Sequence, residues 1–197
     1  LASSGLLVRA RGGPPVSPYQ PGGDLWRESN SMSPAYRQSV GKGLYRRSLY
    51  SVWKRTAPLP NMLAFDAPTR EVCTISRSRT NTPLQALVLL NDVQFVEAAR
   101  ALASEVISVE PTAEVDNQIT LAFTRVTGRS PDETDCRLLE ALYREQLALF
   151  DSGEQQAEAF LKPGELKPAA DIPANHLAAF TVVCQTLFNL DAAVYSR

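Results

Sequence analysis

Apolar and polar positions along the chain follow two regimes that meet near Thr80. Beyond that residue, apolar side chains recur at helical spacing and each stretch carries its own start and stop signals. Thr82, Pro83 and Gln85 supply a cap, a first-turn proline and a capping-box partner, which predicts a short helix through Leu90. Asp92 can cap the next helix, whose stripe Val96, Ala99, Ala103, Val106 and Ile107 is spaced for burial until Pro111 stops it. Ile119, Ala122, Phe123 and Val126 fall at i, i+3, i+4 and i+7, giving a helix over about 114–127 that Gly128 terminates. Ser130, Pro131 and Glu133 repeat the cap logic before a long helix towards Asp151, with Leu138, Leu139, Leu142 and Leu149 inward. Gly153 separates it from a shorter helix ending near Leu161, and the last helix, about 174–190, presents Leu177, Phe180, Thr181, Cys184, Leu187 and Phe188. The fold class expected is mainly α, a bundle of about five to six helices over 81–197.

Residues 1–80 follow neither period. Over 11–43, Gly, Pro and Ser deny both helix and ladder, yet Tyr19, Leu25, Trp26, Met32 and Tyr36 are spaced through the stretch as a free linker would not need. An irregular segment that wraps over the domain, pinned by those residues, is the expectation. Leu44, Leu49, Val52 and Trp53 fit one helical stripe within 44–56, although YRRSLYSVWKR also allows a strand with aromatics on one face; helix is the preferred reading. Pro58, Pro60 and Pro68 keep 57–68 irregular, and the β-branched VCTIS of 72–76 reads as a short strand. The organisation predicted is a basic, Pro/Gly-rich arm over 1–80 packed on a bundle over 81–197, together one structural domain. The chain starts at Leu1 with no basic-then-apolar leader, so a cut piece of a longer polypeptide or a mature product is expected.

Charge sharpens the division. The whole chain carries −1, but residues 37–79 hold nine Lys/Arg against Asp66 and Glu71, a net of +7, while residues 80–197 hold eight against seventeen, a net of −9. Such polarity either lays the basic part against the acidic part or presents a basic face to an anionic partner. At 197 residues with 44% hydrophobic content, the chain is large enough to bury a core. The longest apolar runs, 84–90 and 180–184, fall short of the roughly 20 residues needed to cross a bilayer, so no membrane span is expected. Cys73, Cys136 and Cys184 are far apart with no CxxC or CxxCH, which excludes a zinc ribbon or covalent haem site built from this segment. Cys184, inside AAFTVVCQTLF, is expected to act as a small buried hydrophobe.

The run LYRRSLYSVWKRTAPLPNMLAFDAPTREVCTISRSRTNTPLQALVLLNDVQFVEAARALA, with GGPPVSPYQPGGDLW upstream and LAFTRVTGRSPDETD downstream, resembles a planctomycete-type domain of unknown function, DUF1553 or PSD1. The likeness spans essentially the whole chain. It implies the C-terminal part of an exported multidomain protein, periplasmic or extracellular, with a companion domain (DUF1549) and often a c-type-cytochrome-like domain upstream. Haem would then belong to the parent protein, with no cofactor in this segment. The resemblance also implies a polysaccharide context, and it brings no catalytic residue with it.

Read for chemistry, the residues narrow the choice further. A hydrolytic triad needs a base, and although Ser48, Ser51 and Thr56 lie near basic residues, the one histidine is His176, after Asp171 at the start of the last helix. A solvent-facing or helix-capping role is expected for it, and no catalytic residue is assigned. Asp66 and Glu71 are the only acids of the basic block, and paired carboxylates can cleave a glycoside, but arginine neighbours would lower their pKa values and favour ion pairing. No HxH, DxDxD or HExxH cluster appears, and no metal is assigned.

What remains is anion recognition by Arg46, Arg47, Trp53, Lys54, Arg55, Arg70, Arg77 and Arg79, the candidate anion- or glycan-binding residues, interleaved with Tyr45, Tyr50 and Phe65. Guanidinium forks fit sulfate, phosphate or carboxylate, and aromatic faces stack on sugars. The competing reading pairs these arginines with Asp66, Glu71, Asp92, Glu97 and loop carbonyls, above all Arg70, Arg77 and Arg79. Two functions stay open: a non-catalytic structural or interaction module docking on companion domains of its parent chain, and a module or enzyme part acting on sulfated or uronate polysaccharide. Nucleic acid is not an expected partner, since the overall balance is acidic and no recognition motif is present.

Overall fold

The computed structural model describes residues 1–21, 25–29, 32, 34–111 and 114–194. Among them run α1 (Leu25–Ser29), α2 (Pro60–Ala64), α3 (Pro83–Asn91), α4 (Val93–Val109), α5 (Val115–Thr127), α6 (Glu133–Asp151), α7 (Ala157–Leu161), α8 (Ala174–Phe188) and α9 (Asp191–Val194). Five of these helices have seven residues or more and the described residues contain no strand, so the fold is mainly α with a helical bundle. No helix among the described residues is long and apolar enough to cross a membrane. The chain divides into two compact units, Leu1–Leu6 with Leu89–Arg197, and Leu7–Val88. Counted over these units, Leu7–Val88 holds twelve Lys/Arg against four Asp/Glu, net +8, and the helical unit holds eight against seventeen, net −9.

The helical unit is built round α8. Leu177 to Thr181, Val183, Cys184 and Leu187 are all buried, which explains why its sequence is apolar on every side instead of striped. Helices α4 and α6 make its broadest contacts, and α5 and α7 complete the enclosure. The stripe of α4 and the Ile119, Ala122 and Phe123 face of α5 enter the same core, as their spacing predicts. Asp92 caps α4 by accepting from Gln94 N at 2.9 Å, and Gly128 ends α5 in the left-handed region at φ 74°.

Helix α6 starts later than its sequence signals indicate. Its cap is Asp132, not Ser130: Asp132 accepts from Asp135 N at 2.7 Å and Asp135 returns the bond from Asp132 N at 3.3 Å. A carboxylate is a stronger acceptor than a hydroxyl and also suits the positive helix start. Leu138 is 62% exposed; Leu139, Tyr143 and Phe150 are buried, and Leu142 packs partly buried against the core.

His176 is neither solvent-facing nor a cap. Its Nδ1 lies 2.6 Å from the Tyr143 hydroxyl, the two rings meet edge-on at 5.7 Å, and it is half-buried. Burial lowers the His176 pKa from 6.5 and raises that of Tyr143, which favours the neutral form of both groups at neutral pH. With the folded pKa lowered, the unfolded chain binds the proton more readily and stability falls as pH drops below about 6.5. His176 is the chain's only histidine. Melting midpoints should therefore fall between pH 7.5 and 5.5, and His176→Gln should flatten that interval; an unchanged slope in the variant would assign the effect to other groups.

Charged groups also enter the core of this unit. On α4, Glu97 and Arg100 are 0% and 1% exposed. Arg100 donates to the carbonyls of Leu161 and Leu166 and, at 2.8 Å, to that of Pro163. Glu97 Oε1 accepts from Leu166 N at 2.6 Å and lies 3.9 Å from Arg100 Nη2. The pair thus clamps the turn that follows α7.

The Leu7–Val88 unit satisfies an irregular backbone by cross-chain bonds. Val8 N donates to Tyr45 O at 2.9 Å, Val16 N to Tyr50 O at 2.8 Å, and Val52 N to Val16 O at 2.8 Å, forming two isolated parallel bridges. This overturns the helix read over 44–56. The segment forms 3-10 turns at Gly41–Tyr45 and Ser48–Tyr50, because a continuous helix would consume the carbonyls that the 8–16 stretch requires. Of the expected pins, Tyr19 is buried and Trp26 meets Tyr36 edge-on at 5.2 Å, but Met32 is 90% exposed. Residues 22–24, 30, 31 and 33 of that segment lie outside the described residues. The strand read at 72–76 is absent as well: bends interrupt it and every residue from 70 to 79 is exposed.

Candidate functional site

The chain leaves α2 into a loop over 66–80 whose neck is fastened on both sides. Asp66 sits at φ 57°, a left-handed conformation that aspartate tolerates. From there its carboxylate accepts from Thr80 N and Thr80 Oγ1, both at 2.9 Å, and from Ser78 Oγ at 3.4 Å. The Thr80 backbone bond leads the causes that hold the Asp66 carboxyl below its ordinary pKa, and Arg77 adds a smaller charge effect. Thr80 Oγ1 also accepts from Gln85 Nε2 at 3.1 Å. Gln85 in turn exchanges bonds of 3.1 and 3.3 Å with Thr82, so the latch is continuous with the capping box of α3. On the other side, Trp53 Nε1 donates to Thr69 O at 3.2 Å and carries the Arg70 guanidinium 5.1 Å above its ring.

Between these anchors, residues 70–79 stand free of the surface: Val72 is 74% exposed and Ile75 106%. Among the described residues, no backbone N–H from Val72 to Arg79 makes a hydrogen bond. A long loop, closed at its neck and open at its tip, is a frequent carrier of function.

The structure sorts the basic candidates by what they hold. Arg46 donates to the carbonyls of Ala10, Gly12 and Pro14 and lies 3.8 Å above the Tyr50 ring, so it organises the 10–14 turn. Lys54 donates to Trp26 O at 2.8 Å and Ser29 Oγ at 2.9 Å. Trp53 and Arg70 belong to the loop neck. Arg47, Arg55, Arg77 and Arg79 are exposed, and no ion pair among the described residues involves them. The ion pairs found join Glu97–Arg100, Glu105–Arg125, Asp135–Arg129 and Glu140–Arg144, all in the helical unit. Asp66, expected to pair with arginine or share a sugar, is therefore a hydrogen-bonding latch, and Glu97 serves Arg100 instead of the basic block. No local signal announces the latch, because its halves stand fourteen residues apart.

The helical unit has a groove of about 460 Å³ lined in part by Ser4, Ser104, Glu105, Ser108 and Lys167. Its acid, Glu105, is already paired with Arg125 at 2.8 Å, and none of the basic candidates lines it. The exposed cations and several exposed aliphatic residues, Val40, Leu49, Val72, Ile75, Leu84 and Leu87, lie in Leu7–Val88.

A family model, PSD1, described as a protein of unknown function (DUF1553), matches residues 1–143. No curated protein and no solved structure matches the chain.

Proposed function

We propose that this chain, which belongs to the PSD1 family (DUF1553), is a non-catalytic docking module whose Leu7–Val88 unit grips an acidic protein surface on companion domains of an exported parent chain. One observation carries the reading: Arg47, Arg55, Arg77 and Arg79 are exposed without a carboxylate in ion-pair range among the described residues, in a unit that also exposes aliphatic side chains. Arginine beside aliphatic surface is the composition of a protein interface, where forked bonds to carboxylates fix the register and apolar contacts add area. A polysaccharide site would instead present open aromatic platforms. Here Tyr50 lies under Arg46, Trp53 under Arg70, and Trp26 within 5.7 Å of the Lys54 ammonium.

The test is calorimetric titration of this chain with the upstream part of its parent protein, at low and moderate salt. Exposed ion pairs contribute about 0.2–1 kcal/mol each, so changing all four arginines to Gln should weaken binding by roughly fourfold to nearly a thousandfold and flatten its salt dependence. Circular dichroism should not change. Absence of binding at high concentration overturns the reading. Retention of sulfated or uronate glycans that the same substitutions abolish would put a polysaccharide in the partner's place.

A further inference from the structure

The 66–80 loop has a property that docking does not require: it meets the demands that an endopeptidase makes of a folded substrate. A protease cleft takes several consecutive residues whose backbone groups are free to pair with the enzyme, so native chains are cut at exposed loop tips or where local opening is easy. Residues 70–79 are exposed throughout, and from Val72 to Arg79 no backbone N–H is committed to another described residue. The geometry points to the Arg77–Ser78 bond as a built-in cleavage site for an arginine-directed endopeptidase of the trypsin type.

Three arginines in the loop compete for the role, and their surroundings decide between them. Arg70 is held over Trp53 in a left-handed backbone at φ 63°, and the following Glu71 N is turned back to Thr69 Oγ1 at 3.4 Å. Arg79 precedes Thr80, whose N–H and hydroxyl are both bound by Asp66 at 2.9 Å, so its scissile amide lies in the latch. Arg77 is exposed and free of an ion pair within the described residues, and it stands between Ser76 and Ser78 in the open part of the loop. The two contacts at this bond, Ser76 Oγ to Arg77 O and Ser78 Oγ to Asp66 Oδ1, are both 3.4 Å long and therefore weak. Outside the loop, Lys162 and Lys167 precede prolines, and Arg100, Arg125, Arg137 and Arg144 lie within helices, where the backbone is already paired.

Hydrolysis adds one water across the amide, leaving a carboxylate on Arg77 and an ammonium on Ser78, with the enzyme regenerated. The nick does not separate the parts. Asp66 and Thr80 lie on opposite sides of the cut and remain bonded, the new ammonium forms beside the Asp66 carboxylate, and Leu1–Leu6 belongs to the helical unit. Cleavage thereby converts a closed loop into a free basic tail ending at Arg77 on a chain that stays folded. This does not depend on what the exposed arginines bind.

Limited digestion of the native chain with trypsin, followed by intact-mass measurement, tests the proposal. The first products should be residues 1–77 and 78–197, formed at least about tenfold faster than any other cut, because helical sites first require local opening and the exposed basic residues between 9 and 55 lie beside backbone groups held by cross-chain or turn hydrogen bonds. The two products should co-elute in size exclusion and separate only in denaturant. Arg77→Gln should remove this first cut while leaving the circular dichroism spectrum intact. A first cut elsewhere, equal rates at many sites, an Arg77→Gln chain still cut in the loop at the original rate, or native separation of the fragments would each overturn the proposal.

Discussion

Replacing Glu97 by Ala should lower the unfolding free energy by about 3–5 kcal/mol, a large fraction of the roughly 5–15 kcal/mol that holds a domain together. The side chain is 0% exposed, and its carboxylate is the counter-charge of Arg100, itself 1% exposed. Without it, a buried guanidinium loses this counter-charge, and the Leu166 N–H loses its acceptor. Arg100→Ala should cost a similar amount for the mirrored reason, since it strands a carboxylate and the carbonyls of Leu161, Pro163 and Leu166. Replacing both by Met or Leu should cost less than either single change, because no unpaired charge remains to be desolvated. Urea unfolding of the four chains in one buffer decides it. A single-substitution loss below about 1 kcal/mol would mean that the 161–166 turn opens and admits water.

The bundle was legible where its signals are local. Caps at Thr82 and Asp92, the glycine stop at 128 and the stripes of α4 and α5 each lie within one or two turns of the residues they govern, and each appears where the pattern indicates. The error at α6 arose between competing caps two residues apart, which local propensity resolves poorly. Before Thr80 the determinants are distant. Tyr45 and Tyr50 give their carbonyls to residues some thirty to forty positions earlier, so no window around 44–56 reveals why its helical stripe fails. The same distance hides which arginines are committed. Arg46 and Arg77 look alike in sequence, yet one braces three carbonyls of the 10–14 turn and the other stands open. In sequence Glu97 reads as a partner for the basic-block arginines, because the carbonyls and N–H that receive it and Arg100 lie more than sixty residues further on.

Gly164→Ala should destabilise the chain by about 2–4 kcal/mol, although it adds one methyl group to a turn. Gly164 stands at φ 97°, where any side chain is strained. A Cβ there would also lie 2.5 Å from the Glu97 carboxyl carbon and 2.5 Å from its Oε1, well inside van der Waals contact. A flexible, exposed carboxylate would swing aside at little cost. This one is enclosed, bonded to Leu166 N and opposed to Arg100, so making room breaks part of the clamp. The two contributions separate in a double-mutant cycle. In a Glu97→Ala background the space is vacant, and Gly164→Ala should then cost only the backbone part, about 1–2 kcal/mol, leaving a coupling of about 1–3 kcal/mol between the sites. Strict additivity would mean that the turn relieves the clash by withdrawing from α4, and the Leu166 N–H would then exchange with solvent in the single Gly164→Ala variant as fast as in Glu97→Ala. Retained protection of that amide together with non-additive energies would establish that the glycine exists to let a backbone pass against a buried charge.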